Sequence, residues 1–152
     1  MAEAFGVAGS AIQVADAGFK LYGALSQYVR DYVDADQHAS RLADEVRTTS
    51  WALQQLGTFL QEDAKMKLCK PEVISETHTA LSGCRAAFVE VEHVLKEYMP
   101  SPASGAMTGS KRFKWPFKKS KAQLLLAQFE RLKTTLLLVF KVLSYASKLS
   151  SQ

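Results

Sequence analysis

The stretch AFGVAGSAIQVADAGFKLYGALSQYVRDYV, residues 4–33, decides the fold. Its apolar residues recur at three- and four-residue intervals, which is the period of a helix and not of a strand. Val7, Ala11, Val14, Gly18, Leu21, Leu25, Tyr28 and Tyr32 form one stripe, and Phe5, Ala8, Ile12, Ala15, Phe19, Tyr22, Val29 and Val33 form a second. Placed roughly 200° apart at about 100° per residue, the two stripes make the helix apolar on opposite sides. A helix of that kind must be surrounded by other helices or meet a membrane. Asp16 and Lys20, four apart with the acid first, are expected to pair on its flank. Its opening turns are thinned by Ala4, Gly6, Ala8, Gly9 and Ser10. Glycine lowers helix stability by roughly 1 kcal/mol per residue, so this end is expected to be the least firmly held.

Three more helical patterns follow. Over residues 37–63, Leu42, Val46, Thr49, Leu53, Leu56 and Leu60 form a single stripe, with Trp51 about 180° away from it. An unprotected Trp is unusual, so cover by a loop or by another chain is expected, with cover from within the chain favoured. Pro71 suits the first turn of a helix over residues 71–98. Its stripe is Ile74, Thr77, Leu81, Cys84, Phe88, Val91, Leu95 and Tyr98, and Pro100 and Pro102 stop it. Residues 101–110, SPASGAMTGS, read as a loop. The last helix, over residues 120–149, carries Leu125, Phe129, Leu132, Leu136, Val139 and Leu143. Leu137, Leu138, Phe140 and Val142 widen its apolar surface until it needs two neighbours. The expected fold is all-α, a single domain over residues 1–152 built as a four-helix-type bundle, with room for a short additional helix near the basic loop.

At 152 residues and 47% hydrophobic content, the chain can bury one real core and is too short for two. The net charge of +4 is unevenly spread. From Lys111 onward ten basic residues face only Glu130, a balance of +9, which leaves −5 for residues 1–110. The basic end is therefore where an anionic partner is expected. Cys69 and Cys84 make no disulfide framework, and the N-terminus lacks the basic region of a secretory signal, so an intracellular chain with reduced thiols is expected. A permanent transmembrane helix is disfavoured. The first helical stretch contains Asp16 and Lys20, and a charge at mid-bilayer costs roughly 2.5–3.5 kcal/mol.

Catalytic patterns are missing. His38, His78 and His93 lie singly, Glu90 and His93 give one Glu-x-x-His where a di-metal bundle needs two, and no glycine loop follows a strand. The chain is read as a non-enzyme with no cofactor and no metal. The segment KRFKWPFKKSK, residues 111–121, is instead distinctive, with six basic residues, three aromatics and no acid. It suits a solvated loop folded back on the bundle. It also suits an anionic membrane surface, where each lysine contributes roughly 1 kcal/mol and Trp seats in the interface. A single nucleic-acid strand ranks last, because no recognition fold is evident.

Residues 4–29, AFGVAGSAIQVADAGFKLYGALSQYV, together with residues 111–143, KRFKWPFKKSKAQLLLAQFERLKTTLLLVFKVL, resemble the fungal N-terminal HeLo-like domains. Such domains stand ahead of nucleotide-binding and repeat regions in fungal immune-receptor-type proteins. The plant coiled-coil resistance domains and the bundle of the necroptosis pseudokinase are distant analogues. The resemblance implies a helical bundle that executes cell death by oligomerising and releasing its N-terminal helix to permeabilise membranes. It further implies a cytoplasmic protein that relocates to the plasma membrane on activation and serves a nucleotide-binding receptor in cis or in trans.

On this reading Phe5, Val7, Ile12, Val14, Phe19 and Leu21 insert into the membrane, while Lys111, Arg112, Lys114, Trp115, Lys118, Lys119 and Lys121 hold anionic lipid. The alternative is a soluble adaptor or oligomerisation domain that signals by protein contact through Trp51, Leu137 and Leu138.

Overall fold

The computed structural model describes residues 2–31, 37–62, 70–98 and 119–150. They form four long helices: α1 (Ala2–Asp31), α2 (Gln37–Leu60), α3 (Pro71–Tyr98) and α4 (Lys119–Ser150). The chain is an all-α helical bundle. Each helix lies within a few residues of its apolar pattern. Pro71 occupies the first turn of α3, where its missing N–H would have had no intrahelical partner, and the Ile74 amide donates to the Lys70 carbonyl at 3.1 Å. The expected loop over residues 101–110 and the optional short helix beside it lie outside the described residues.

The helices occupy the corners of a square in the order α1, α2, α4, α3. Helix α1 runs antiparallel to α2, with Gly57 against Ala8 and Ala11 and Gly18 against Ser50. It runs parallel to α3, since Val14 and Leu21 sit beside Phe88 and Glu92. Helices α3 and α4 are antiparallel, with Glu90 paired to Lys121 and Val73 beside Val142. Helices α2 and α4 are parallel, with Glu45 on Lys133 and the Phe59 ring 5.0 Å from that of Phe140. Consecutive helices α2 and α3 therefore stand at diagonal corners.

The core is the sum of the four stripes. Leu25, Tyr28, Leu42, Leu53, Leu56, Val91, Leu125, Phe129 and Leu136 are buried, each contributing roughly 1.5–3 kcal/mol if it is fully removed from water. Cys84 lies among them, and burial pushes its thiol up to about 12, so it behaves as a small neutral hydrophobe. Of the last helix's expected stripe, Leu132 is half-buried and the rest is buried, and α4 does have two neighbours, α2 and α3.

Three expectations are corrected. The two stripes of α1 are adjoining, not opposite. Most second-stripe residues directly follow one of the first, as Ala8 follows Val7 and Ala15 follows Val14, so their directions differ by about 100°. They merge into one broad face with Val7, Ala8, Ala11, Val14, Ala15, Leu21, Leu25 and Tyr28 buried and Ile12, Phe19, Tyr22 and Val29 half-buried. The other side of α1, with Gly6, Gly9, Gln13, Asp16, Ala17, Lys20, Gly23 and Ala24, is exposed. Helix α1 is thus flanked chiefly by α2 and α3 instead of being enclosed by all three partners. Finally, Asp16 and Lys20 form no ion pair among the described residues.

Helices α1 and α2 are the most extensively packed pair because their seam is made of small residues. Ser50 can be buried there because its hydroxyl donates to the Val46 carbonyl at 2.7 Å. A Cβ on Gly57 would lie 2.7 Å from Ile12 Cγ1 and 3.1 Å from the Ala8 carbonyl oxygen, and one on Gly18 would lie 2.0 Å from Ser50 Oγ and 2.8 Å from the Phe88 ring. Around Gly6, Gly9 and Gly23 the same construction meets nothing within 4 Å. Alanine should consequently act with opposite sign at the two kinds of site. Gly57→Ala and Gly18→Ala are expected to lose about 1–3 kcal/mol by overpacking, and Gly9→Ala and Gly23→Ala to gain about 0.5–1 kcal/mol by helix propensity. Urea unfolding of the four variants measures this, and a gain at Gly57 would contradict the close seam.

Candidate interaction surfaces

The expected site residues separate into three groups. Val7, Val14 and Leu21 face inward from α1 and are core residues, while Ile12 and Phe19 are half-buried at its edge. The side chain of Phe5 lies outside the described residues. A membrane-seeking surface built from these residues is thus not on display in the folded bundle. It exists only if α1 separates from α2 and α3.

Of the basic-aromatic segment, Lys111, Arg112, Lys114, Trp115 and Lys118 lie outside the described residues, as does the side chain of Lys119. Lys121 is described. It sits in the first turns of α4, half-exposed, and forms an ion pair with Glu90 of α3, so its charge is directed to the bundle. The Glu90 of the lone Glu-x-x-His is occupied in the same contact. Among the described residues no cluster of three or more His, Cys, Asp or Glu is placed to hold a metal ion, and no helix is long and apolar enough to cross a membrane.

Trp51, Leu137 and Leu138 are all exposed, at 55%, 52% and 58%. The expectation that the chain itself covers Trp51 is not met among the described residues. Trp51 points away from the α2 core stripe, on the side of α2 that borders α4. It lines a shallow cavity of about 140 Å³ with Ala52, Gln55, Leu136, Leu137 and Phe140. Leu138, although next to Leu137, turns about 100° further round α4 and faces the groove beside α3. The three residues thus do not form one patch. Sequence reading missed Tyr145 and Leu149, exposed at 66% and 56%, which continue the Leu138 side. Tyr145 lies three residues beyond Val142 and Leu149 four beyond Tyr145, a usable signal.

A charge cluster ties α2 to α4. Lys133 Nζ is 2.7 Å from Glu45 Oε2 and 3.3 Å from Glu130 Oε1, with Lys133 and Glu45 mostly buried and Glu130 exposed. Burial, helped by the neighbouring Glu130, pushes the Glu45 carboxyl above the usual range against the pull of Lys133. Glu45 and then Lys133 hold Glu130 below that range. For Lys133, burial works against the charge, but the two carboxylates outweigh it and raise the ammonium above its ordinary value. The arrangement is a structural clasp between α2 and α4.

Comparison with known proteins finds no matching family model, no similar curated protein and no similar solved structure.

Removing the ammonium leaves Glu45 partly buried without its cation. Lys133→Met is expected to cost about 1–3 kcal/mol at neutral pH. Because the folded-state value of Lys133 is raised, its stabilisation is present below the ordinary lysine value of 10.5 and is lost as pH rises through the raised one. Unfolding measured at pH 7 and again above that value should show the gap between wild type and variant closing. A gap that persists at high pH would assign the loss to packing of the lysine stem.

Proposed function

We propose that this chain is a HeLo-like execution domain, a bundle that releases α1 on activation, associates with further copies of itself and permeabilises an anionic membrane. The observation that carries the reading is the placement of glycine in α1. Gly18 belongs to the close seam, but Gly6, Gly9 and Gly23 stand in open space on the outer side, where packing would admit a larger residue. Each lowers helix stability by roughly 1 kcal/mol, so α1 is held more weakly than its buried face would allow. Weakly held elements are those that open locally without global unfolding.

Opening α1 would exchange its contacts with α2 and α3 for lipid. Val7, Val14 and Leu21, with Ile12 and Phe19 at the edge, are the apolar residues to be transferred. The composition of the basic-aromatic segment supports the same reading, since Lys111, Arg112, Lys114, Lys118 and Lys119 would each contribute roughly 1 kcal/mol near anionic headgroups, with Lys121 left to Glu90. No described helix is long and apolar enough to cross a bilayer alone. The proposed attack is therefore by an amphipathic helix lying in the interface or by several copies together, not by a lone spanning helix. A cell-death role in fungal immunity, under a nucleotide-binding receptor, and relocation from cytoplasm to plasma membrane rest on the sequence resemblance. The adaptor reading draws on the exposure of Trp51 and Leu137 beside their shared cavity.

Charging Val7 is a poor test, because that residue is 1% exposed and the bundle would fail with it. The informative variant is Gly6→Ala/Gly9→Ala/Gly23→Ala. It should raise stability by about 1.5–3 kcal/mol and, since every 1.4 kcal/mol is tenfold in population, slow dye leakage from anionic liposomes by roughly tenfold or more. Lipid binding through residues 111–119 should persist. Leakage at the wild-type rate from the stabilised variant would sink the release mechanism, and absence of binding to anionic liposomes would favour the adaptor.

A further inference from the structure

The C-terminal half of α4 presents an apolar seam that no described residue covers. Leu138, Val142, Tyr145 and Leu149 are 54–66% exposed and recur at intervals of four, three and four. That is the d-a-d-a spacing of a heptad, with Leu at the first d and β-branched Val at the following a, the pairing that favours two parallel strands. The seam is continuous with a groove of about 350 Å³ between α3 and α4, floored by Val73, Val139 and Val142.

Charge decides what fits this seam. On the α3 side the groove carries an acidic lip, Glu72 and Glu76. On the α2 side of the seam Lys141 is exposed, in the g position that borders the a/d line in a coiled coil. None of the three has an ion-pair partner among the described residues. Lys141 lies at the height of the acidic lip, because Leu138 and Val142, which bracket it along α4, both line the groove with Glu72 and Glu76.

We infer that a second copy of this chain docks here, with the two α4 helices parallel about a two-fold axis that runs along the seam. That axis carries each residue to the same height on the opposite side. Leu138, Val142, Tyr145 and Leu149 then meet their own counterparts, and Lys141 of each copy faces Glu72 and Glu76 of the other. The antiparallel alternative would set lysine against lysine and glutamate against glutamate, and like charges brought together cost several kcal/mol, which selects the parallel form. The surface is self-complementary, as a two-fold interface must be. The pairing does not rest on the membrane reading. It uses α4, diagonal to α1, and is formed without lipid.

Sedimentation velocity of the full chain in lipid-free buffer over a concentration series tests it. Wild type should form a dimer. Lys141→Glu alone, and Glu72→Lys/Glu76→Lys alone, should each weaken the dimer by about tenfold or more, because both symmetric contacts become repulsive. An equimolar mixture of the two variants should recover the wild-type affinity, since every contact in the mixed pair is again opposite in sign. Val142→Asp, at an exposed position that leaves the core intact, should abolish association while the thermal melt stays cooperative. A wild type that stays monomeric into the millimolar range would overturn the inference. So would a dimer indifferent to these variants, or a mixture that fails to recover.

Discussion

The contact on which the rest of the bundle depends is the glycine- and alanine-lined seam between α1 and α2. Ala8, Ala11 and Ala15 on one helix meet Gly57 and the neighbourhood of Ser50 on the other, and Gly18 admits both Ser50 and the Phe88 ring. Small side chains contribute little apolar area each. What they supply is proximity, which brings the larger residues flanking them into register. Leu53 and Leu56 of α2 and Leu21 and Leu25 of α1 fill the centre because the backbones stand close. Phe88 reaches Gly18 from α3 and also lies 5.7 Å, ring to ring, from Phe129 of α4. The one ring therefore connects the tight seam to the far corner of the square.

Around that seam the molecule grades outward in firmness. The α2–α4 side is closed by the Glu45–Lys133–Glu130 clasp and the Phe59–Phe140 contact, and the α3–α4 side by Glu90–Lys121. Helix α1 has no ion pair of its own across to a neighbour among the described residues and relies on apolar packing. Its outer face is poor in bulky side chains.

Much of this is legible in the sequence. The stripe from Ile74 to Leu95, opened by Pro71, located α3 to the residue, because three-four spacing and a proline at the first turn depend only on local chain geometry. The width of the α4 apolar surface correctly called for two neighbours. What was not legible depends on partners distant in sequence. Gly18 and Gly57 look like the other glycines until Phe88 and Ile12 are brought against them. Leu138 and Val142 have the composition of core residues, and only the arrangement of corners shows that no third neighbour among the described residues covers them. Trp51 was read correctly as facing away from its core stripe, but periodicity says where a residue points and nothing about what lies opposite. The angle between the two stripes of α1 was an error of a different sort, since side chains adjacent in sequence are always about 100° apart on a helix.

The diagonal placement of α2 and α3 has a consequence for how the chain acquires its shape. Each half of the molecule, α1 with α2 and α4 with α3, is an antiparallel hairpin, while the two halves meet chiefly through helices that run side by side in the same direction. Local pairings close small loops and form early, whereas the parallel contacts require the halves to be correctly oriented before any of them is made. The parallel contacts of Lys133 with Glu45 and of Phe88 with Gly18 therefore span more of the chain than those of Gly18 with Ser50 or Glu90 with Lys121, and they carry the larger cost of loop closure.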